Sequence, residues 1–138
     1  MENDSIIRFD WAAKRMLRDK ANFSVLEGLV TVLLGEKITI SEILESESNQ
    51  TNANDKFNRV DIKAINSKNE IIIVEIQLTR EWHYLQRILY GVSKTITEHI
   101  SLGSKYENVR KVYSINILYF DLGKGNDYLY HGTTCFVG

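Results

Sequence analysis

An α/β sandwich built on a mixed sheet is the fold class the sequence predicts. Three observations predict it. The chain is 138 residues with 43% hydrophobic and 25% charged residues, which suits one domain with one core. Its patterns run helix, strand, strand, strand, helix, strand. The second and third strands are joined by a short turn, whereas a long helical segment joins the third to the fourth. A tight turn makes antiparallel neighbours, and a helical crossover makes parallel ones.

The elements follow in order. Ile7 to Asp19 carries Ile7, Trp11, Met16 and Leu17 among basic residues and reads as a helix. Ala21-Asn22 separates it from a second helix over Phe23 to Leu34, where Phe23, Leu26, Val30, Leu33 and Leu34 form an apolar stripe. Gly35 stands where a helix stop belongs. Ile38 to Leu44 alternates as a strand, and Glu45 to Asp55 is a polar loop. Val60 to Ile65 alternates again, Ser67-Lys68-Asn69 turns, and Ile71 to Leu78 is a β-branched run fit for a buried strand. Arg80 to Leu102 reads as a long helix with Leu85, Ile88, Leu89, Val92, Ile96 and Ile100 on one side, ended by Gly103. Val109 to Phe120 is the last strong strand, and Tyr128-Leu129-Tyr130 is a candidate short one.

Composition excludes several classes. The longest apolar run, Ile71-Ile72-Ile73-Val74, is strand-sized, far below the ~20 residues of a spanning helix. The first residues, Met1-Glu2-Asn3-Asp4, lack the pattern of a secretory signal. One cysteine, Cys135, cannot build a disulfide framework or a zinc site within the chain, so a cytoplasmic location is expected. The net charge of -1 is unlike that of a small duplex-binding module, so positive potential must be local or supplied by cations.

The chemistry sits in Asn58-Arg59-Val60-Asp61 and Val74-Glu75-Ile76-Gln77. If Ser67-Lys68-Asn69 is a three-residue loop, Asn66 pairs with Glu70 and Asp61 falls opposite Glu75. Asn69 then supplies the left-handed position such loops need. Alternation puts Asp61, Glu75 and Gln77 on one face, and opposed Cβ atoms lie roughly 4.5–5.5 Å apart. Two carboxylates at that spacing repel unless a proton or a cation intervenes. A hard divalent cation such as Mg²⁺, with Mn²⁺ as its substitute, resolves the repulsion and leaves positions for phosphate oxygens. Gln77 and the Ile76 backbone carbonyl are further candidate ligands. The competing reading is an ordinary solvated face, with Lys63 pairing either acid. Glu75 interrupts an apolar strand, and a charge placed there needs a partner.

These residues resemble the PD-(D/E)XK nuclease superfamily, in particular its transposase-like branch of recombination-promoting nucleases. The branch carries an aspartate on one strand, Glu-x-Gln on the next, and a helix with an Arg and a Tyr. Here these read as Arg59-Val60-Asp61, Val74-Glu75-Ile76-Gln77 and Gln86-Arg87-Ile88-Leu89-Tyr90-Gly91. The likeness extends to Phe9-Asp10-Trp11-Ala12, Leu26-Glu27-Gly28, Leu102-Gly103 through Tyr106, and Tyr119-Phe120-Asp121. It implies a restriction-endonuclease-like α-β-β-β-α-β core and Mg²⁺-dependent cleavage of DNA phosphodiester bonds in transposition or recombination. It also implies that Asp61 and Glu75 bind metal and that Gln77 occupies the superfamily's lysine slot. Glutamine brings no positive charge, so the activating role falls to another group, Arg80 or a second metal being candidates. Family members often continue beyond the point where this chain stops, which leaves room for assembly or target-choice elements.

Other residues carry two readings each. The resemblance makes Glu27 an additional metal acid, whereas Ser24-Val25-Leu26-Glu27 fits a capping box. Arg80, Arg87 and Lys94 recur at seven-residue steps with Tyr84 and Tyr90 nearby. This stripe either tracks a phosphate backbone or is a solvated face braced by Lys94 with Glu98. His83, His99 and His131 show no ligand spacing, and Gly123-Lys124-Gly125 is a turn rather than a phosphate loop.

The expectation is therefore a Mg²⁺-dependent endodeoxyribonuclease occupying residues 1–138 as one domain. Asp61, Glu75 and Gln77 are its catalytic residues, the Ile76 carbonyl and Glu27 its added ligands, and Arg80, Arg87 and Tyr90 its substrate contacts. DNA is the expected partner, no membrane is involved, and a homodimer is one option. The alternative is a catalytically inactive nuclease-like fold that binds DNA or protein, favoured by the near-neutral charge and the missing lysine.

Overall fold

The computed structural model describes residues 15–44, 59–77 and 79–138, and for 59–61 the strand backbone only. Its elements are α1 (Ser24–Leu34), β1 (Ile40–Leu44), β2 (Arg59–Asn66), β3 (Ile71–Gln77), α2 (Tyr84–Glu98) and β4 (Val112–Leu118). The sheet order is β1-β2-β3-β4, with the first two pairings antiparallel and β3–β4 parallel. This is the predicted mixed sheet with flanking helices.

Alternation divides the sheet into two unlike faces. On one, Ile62, Ala64, Ile72, Val74, Ile76 and Ile115 join Leu26 and Val30 of α1 and Leu17 in the hydrophobic core. Gly35 ends α1 in the left-handed conformation at φ 71, as its position predicts. Two α1 side chains also serve the edge of the sheet. The amide of Ile38 donates to Thr31 Oγ1 at 3.0 Å, and that of Ile40 donates to Glu27 Oε1 at 2.8 Å.

The opposite face carries Lys63 of β2, Ile71, Ile73, Glu75 and Gln77 of β3, and Ser114 and Asn116 of β4. Helix α2 lies across it on a diagonal. Tyr84 Oη donates to Asn116 Oδ1 of β4 at 3.1 Å, Arg87 Nη2 stands 3.0 Å from Glu75 Oε1 of β3, and Glu98 lies 3.7 Å from Lys63 Nζ of β2.

The structure corrects the reading of this helix. It begins at Tyr84, not Arg80, and ends at Glu98, before Gly103. Its buried residues are Tyr84 and Thr95, while Leu85 and Leu89 of the predicted apolar side are 56% and 69% exposed. The cause is the polarity of the face beneath. A sheet surface bearing Lys63, Glu75 and Asn116 takes hydrogen-bonding and charged partners, so α2 turns Tyr84, Arg87 and Glu98 toward it.

Other boundaries move less. The last strand runs Val112–Leu118 rather than from Val109 to Phe120. Tyr128-Leu129-Tyr130 forms no strand; this stretch turns on itself, with the Asp127 amide donating to Tyr130 Oη at 2.6 Å. Within the predicted first helix, residues 15–17 are helical. The remainder of that helix, through residue 14, and the loop predicted at Glu45 to Asp55 lie outside the described residues. Among the described residues no helix is long and apolar enough to cross a membrane.

Candidate active site

The turn between β2 and β3 sets everything that follows. The Asn66 amide donates to Glu70 O at 3.1 Å, the Asn69 amide donates to Asn66 O at 3.0 Å, and Asn69 adopts φ 62. This is the three-residue loop read from the sequence. The buried Asn66 side chain organises it from within. Its Oδ1 accepts from the amides of Lys68 and Glu70 at 3.1 and 2.8 Å, and its Nδ2 donates to Glu70 Oε1 at 2.9 Å. Replacing Asn66 by Ala leaves two loop amides without their acceptor, at an expected cost of about 2–3 kcal/mol. A denaturant melt of the variant, beside amide-exchange rates in β2 and β3, checks this.

With that turn in place, Asp61 lies opposite Glu75. Hydrogen-bonded and non-hydrogen-bonded pairs alternate along an antiparallel ladder. Counting from Asn66–Glu70, Asp61–Glu75 is a non-hydrogen-bonded pair, the kind whose Cα atoms approach to about 4.5 Å. Two bonds at the ends of β3 agree with the count. The Ile71 amide donates to Lys111 O and the Tyr119 amide to Gln77 O, so odd positions of β3 bond toward β4. Ile76, an even position, bonds toward Val60 of β2, and one lone pair of its carbonyl is thereby committed to the ladder.

Glu75 is 9% exposed and Gln77 6%. In the parallel pairing Glu75 neighbours Asn116, so a polar row Asp61, Glu75, Asn116 crosses three strands at one level. The Asn116 amide donates to Ser114 Oγ at 3.0 Å while its carbonyl oxygen accepts from Tyr84. Above the row, Arg87 reaches both Glu75 and Glu81; the contact to Glu81 runs through Nη1. Arg87 Nε and Nη2 are buried without an aligned hydrogen bond among the described residues, so the approach to Glu75 is an ion pair with donor capacity to spare. Lys63, which the competing reading paired with these acids, instead meets Glu98, and Glu98 also takes Lys94 at 3.8 Å.

Gln77 decides whether a hard cation suits this place. Its Nε2 donates to Thr79 O at 3.1 Å, while its Oε1 is buried with no hydrogen-bond partner among the described residues. Leaving a buried carbonyl oxygen unpaired costs roughly 1–3 kcal/mol. That oxygen shares a face with Glu75, and Asp61 occupies the facing register position. Two carboxylates and an amide oxygen are a donor set that Mg²⁺ or Mn²⁺ accepts. Among the described side chains no group of three or more His, Cys, Asp and Glu gathers, so any site here is built from the acid pair and the amide.

Residues 7–137 match the family model described as PD-(D/E)XK nuclease family transposase. The chain belongs to this family. No curated protein and no solved structure matches it. Membership points to a nuclease associated with transposition, acting on DNA, in a family that generally uses divalent metal ions.

In this PD-(D/E)XK protein the remaining predicted residues fall in different places. Glu27 joins neither the capping box nor the acid pair. The Ser24 amide donates to Asn22 Oδ1 at 3.0 Å, and the Glu27 carboxylate holds the Ile40 amide. Helix α1 covers the apolar face, and Ile40 stands opposite Asn66. Asp61 is five residues from Asn66 along β2, about 16 Å at the rise of a strand. Arg80 is exposed, with its guanidinium over the rings of Trp82 and Phe120. Tyr90 is exposed on α2.

Asn116 and Glu81 were not among the residues read as functional. Asn116 did leave a signal, since Ser114 and Asn116 interrupt Val112-Tyr113-Ser114-Ile115-Asn116-Ile117-Leu118 at alternate positions. Glu81 left none, because its role depends on where α2 begins.

Proposed function

We propose that the chain is a divalent-metal-dependent endodeoxyribonuclease, using Mg²⁺ with Mn²⁺ as a substitute. It hydrolyses phosphodiester bonds during transposition or recombination in the cytoplasm, with residues 1–138 acting as one nuclease-like domain. The observation that carries this reading is the placement of Asp61 opposite Glu75, with the unpartnered Gln77 carbonyl oxygen on the same face.

Asp61, Glu75 and Gln77 Oε1 would hold the ion, the Ile76 carbonyl offering its remaining lone pair. When bound, the cation polarises the scissile phosphate and lowers the pKa of an attacking water. The chain's own groups do the rest. Gln77, with its Nε2 fixed on Thr79, presents an oxygen that accepts a hydrogen bond and orients that water. Arg87 supplies the fixed positive charge that a neutral residue in the lysine slot lacks, and its Nε, with no hydrogen-bond partner among the described residues, is a donor that suits a phosphate oxygen. Arg80 and Tyr90, both exposed, serve as outer contacts to the strand.

A second reading, a catalytically inactive fold that binds DNA or protein, is favoured by one observation: Arg87 already supplies a counter-charge to Glu75. Calorimetric titration with Mn²⁺, paired with a nicking assay on supercoiled plasmid in Mg²⁺, decides between them. The nuclease reading expects saturable Mn²⁺ binding and cleavage that EDTA stops. No heat at millimolar Mn²⁺ together with intact plasmid selects the inactive fold.

A further inference from the structure

The sequence pattern starts a helix at Arg80, yet α2 begins only at Tyr84, after His83 in the left-handed region at φ 64. A residue with a Cβ takes that conformation against a steric penalty, and such strain concentrates at functional positions. No side-chain hydrogen bond caps the helix there. The bend takes Trp82 off the helix line and leaves it 74% exposed.

Trp82 does not stand alone. The Arg80 guanidinium lies 5.2 Å from the centroid of its ring and 5.9 Å from that of Phe120. Phe120 meets Tyr84 edge-on at 5.7 Å, and Tyr84 bonds Asn116, the β4 neighbour of Glu75. A shelf of aromatic rings around one guanidinium thus runs from solvent to the polar row. Tryptophan is among the most buried residues on average, and a single guanidinium covers one face of an indole at most.

We propose that Trp82, Arg80 and Phe120 form a stacking platform for an unpaired nucleobase, so that the chain engages single-stranded DNA in preference to intact duplex beside the acid pair. The proposal rests on the nuclease reading for its ligand class, while the stacking itself needs no metal and no cleavage. Bases in a duplex hide their faces against one another, whereas an unpaired base offers a face to the indole. Arg80 adds positive charge for the adjoining phosphate. The net charge of -1 fits the same picture, since stacking draws affinity from ring contact as well as from a basic surface.

The test uses the full chain in EDTA, so that DNA is bound and not cut. Anisotropy of labelled oligo-dT, alone or annealed to oligo-dA, reports affinity, and quenching of tryptophan emission reports contact with the indole. Oligo-dT is expected to bind more tightly than the duplex and to quench. Trp82→Leu is expected to weaken oligo-dT binding by about 5- to 150-fold, to leave duplex binding unchanged and to abolish the quench that Trp82 contributes. Trp82→Phe is expected to restore most of the oligo-dT affinity. Equal loss on both ligands, or no loss on oligo-dT, overturns the platform while the persisting DNA binding leaves the nuclease reading standing. Binding of neither ligand by the unsubstituted chain overturns the platform as well, and the plasmid assay then judges the nuclease reading separately.

Discussion

Glu75→Gln is expected to abolish Mn²⁺ binding and to lower plasmid cleavage by on the order of 100-fold or more, the equivalent of losing several kcal/mol of charge stabilisation at the scissile phosphate. The substitution keeps the size of a buried side chain and removes its charge. Arg87 retains Glu81 as a partner, so the fold is expected to survive. Asp61→Asn is expected to act in the same direction, because it removes the facing acid of the register pair. Calorimetry for the ion, cleavage kinetics for the chemistry and circular dichroism for the fold measure the three consequences separately. Undiminished cleavage in both folded variants sinks the assignment of this pair as the metal site.

The second large effect concerns Arg87. Its side chain and that of Glu75 are largely buried, at 18% and 12% exposure. Removing one partner of such a pair takes a counter-charge from the other in a poorly solvated place, typically at a cost of about 3 kcal/mol. Arg87→Met keeps the hydrocarbon stem and deletes the guanidinium, so a clear fall in Tm in EDTA is expected. Mn²⁺ is then expected to raise the Tm of the variant more than that of the unsubstituted chain, since a cation replaces the positive charge that Arg87 supplied. The variant is also expected to cleave poorly, with Arg87's contact to phosphate gone. Equal Mn²⁺ shifts in both proteins break the link between Arg87 and a cation at Glu75.

These two variants test opposite sides of one balance. Glu75 has both a guanidinium at 3.0 Å and a facing acid position in register. Positive charge from Arg87 lowers the cost of keeping the Glu75 carboxylate ionised in a largely buried place. It also weakens what that carboxylate offers an ion. Gln77 is neutral and Lys63 on the same face is taken by Glu98, so Arg87 is the cation that meets Glu75 among the described residues.

Much of this arrangement was legible without coordinates. The three-residue turn, the left-handed Asn69, the Asp61–Glu75 register and the shared face with Gln77 all follow from residue types and a period of two. Strand pairing in a short hairpin is a local matter, and local chemistry is written in order along the chain. The helix over the sheet was not legible in the same way. Of its apolar periodicity, Leu85 and Leu89 face solvent, while Ile88, Val92 and Ile96 are only half-buried. Glu27 was likewise ambiguous, because its hydrogen bond goes to Ile40, an amide thirteen residues away on another element.

Sequence alone determined the element order, the mixed sheet and the hairpin register that sets Asp61 opposite Glu75, since each depends on neighbours close in the chain or on a fixed alternation. Only the tertiary structure decided which side of α2 meets the sheet, that Arg87 rather than Lys63 reaches Glu75, and that Trp82 stands in solvent. Those outcomes depend on how elements distant in the chain satisfy one another's charges and hydrogen bonds, and no one-dimensional periodicity records that.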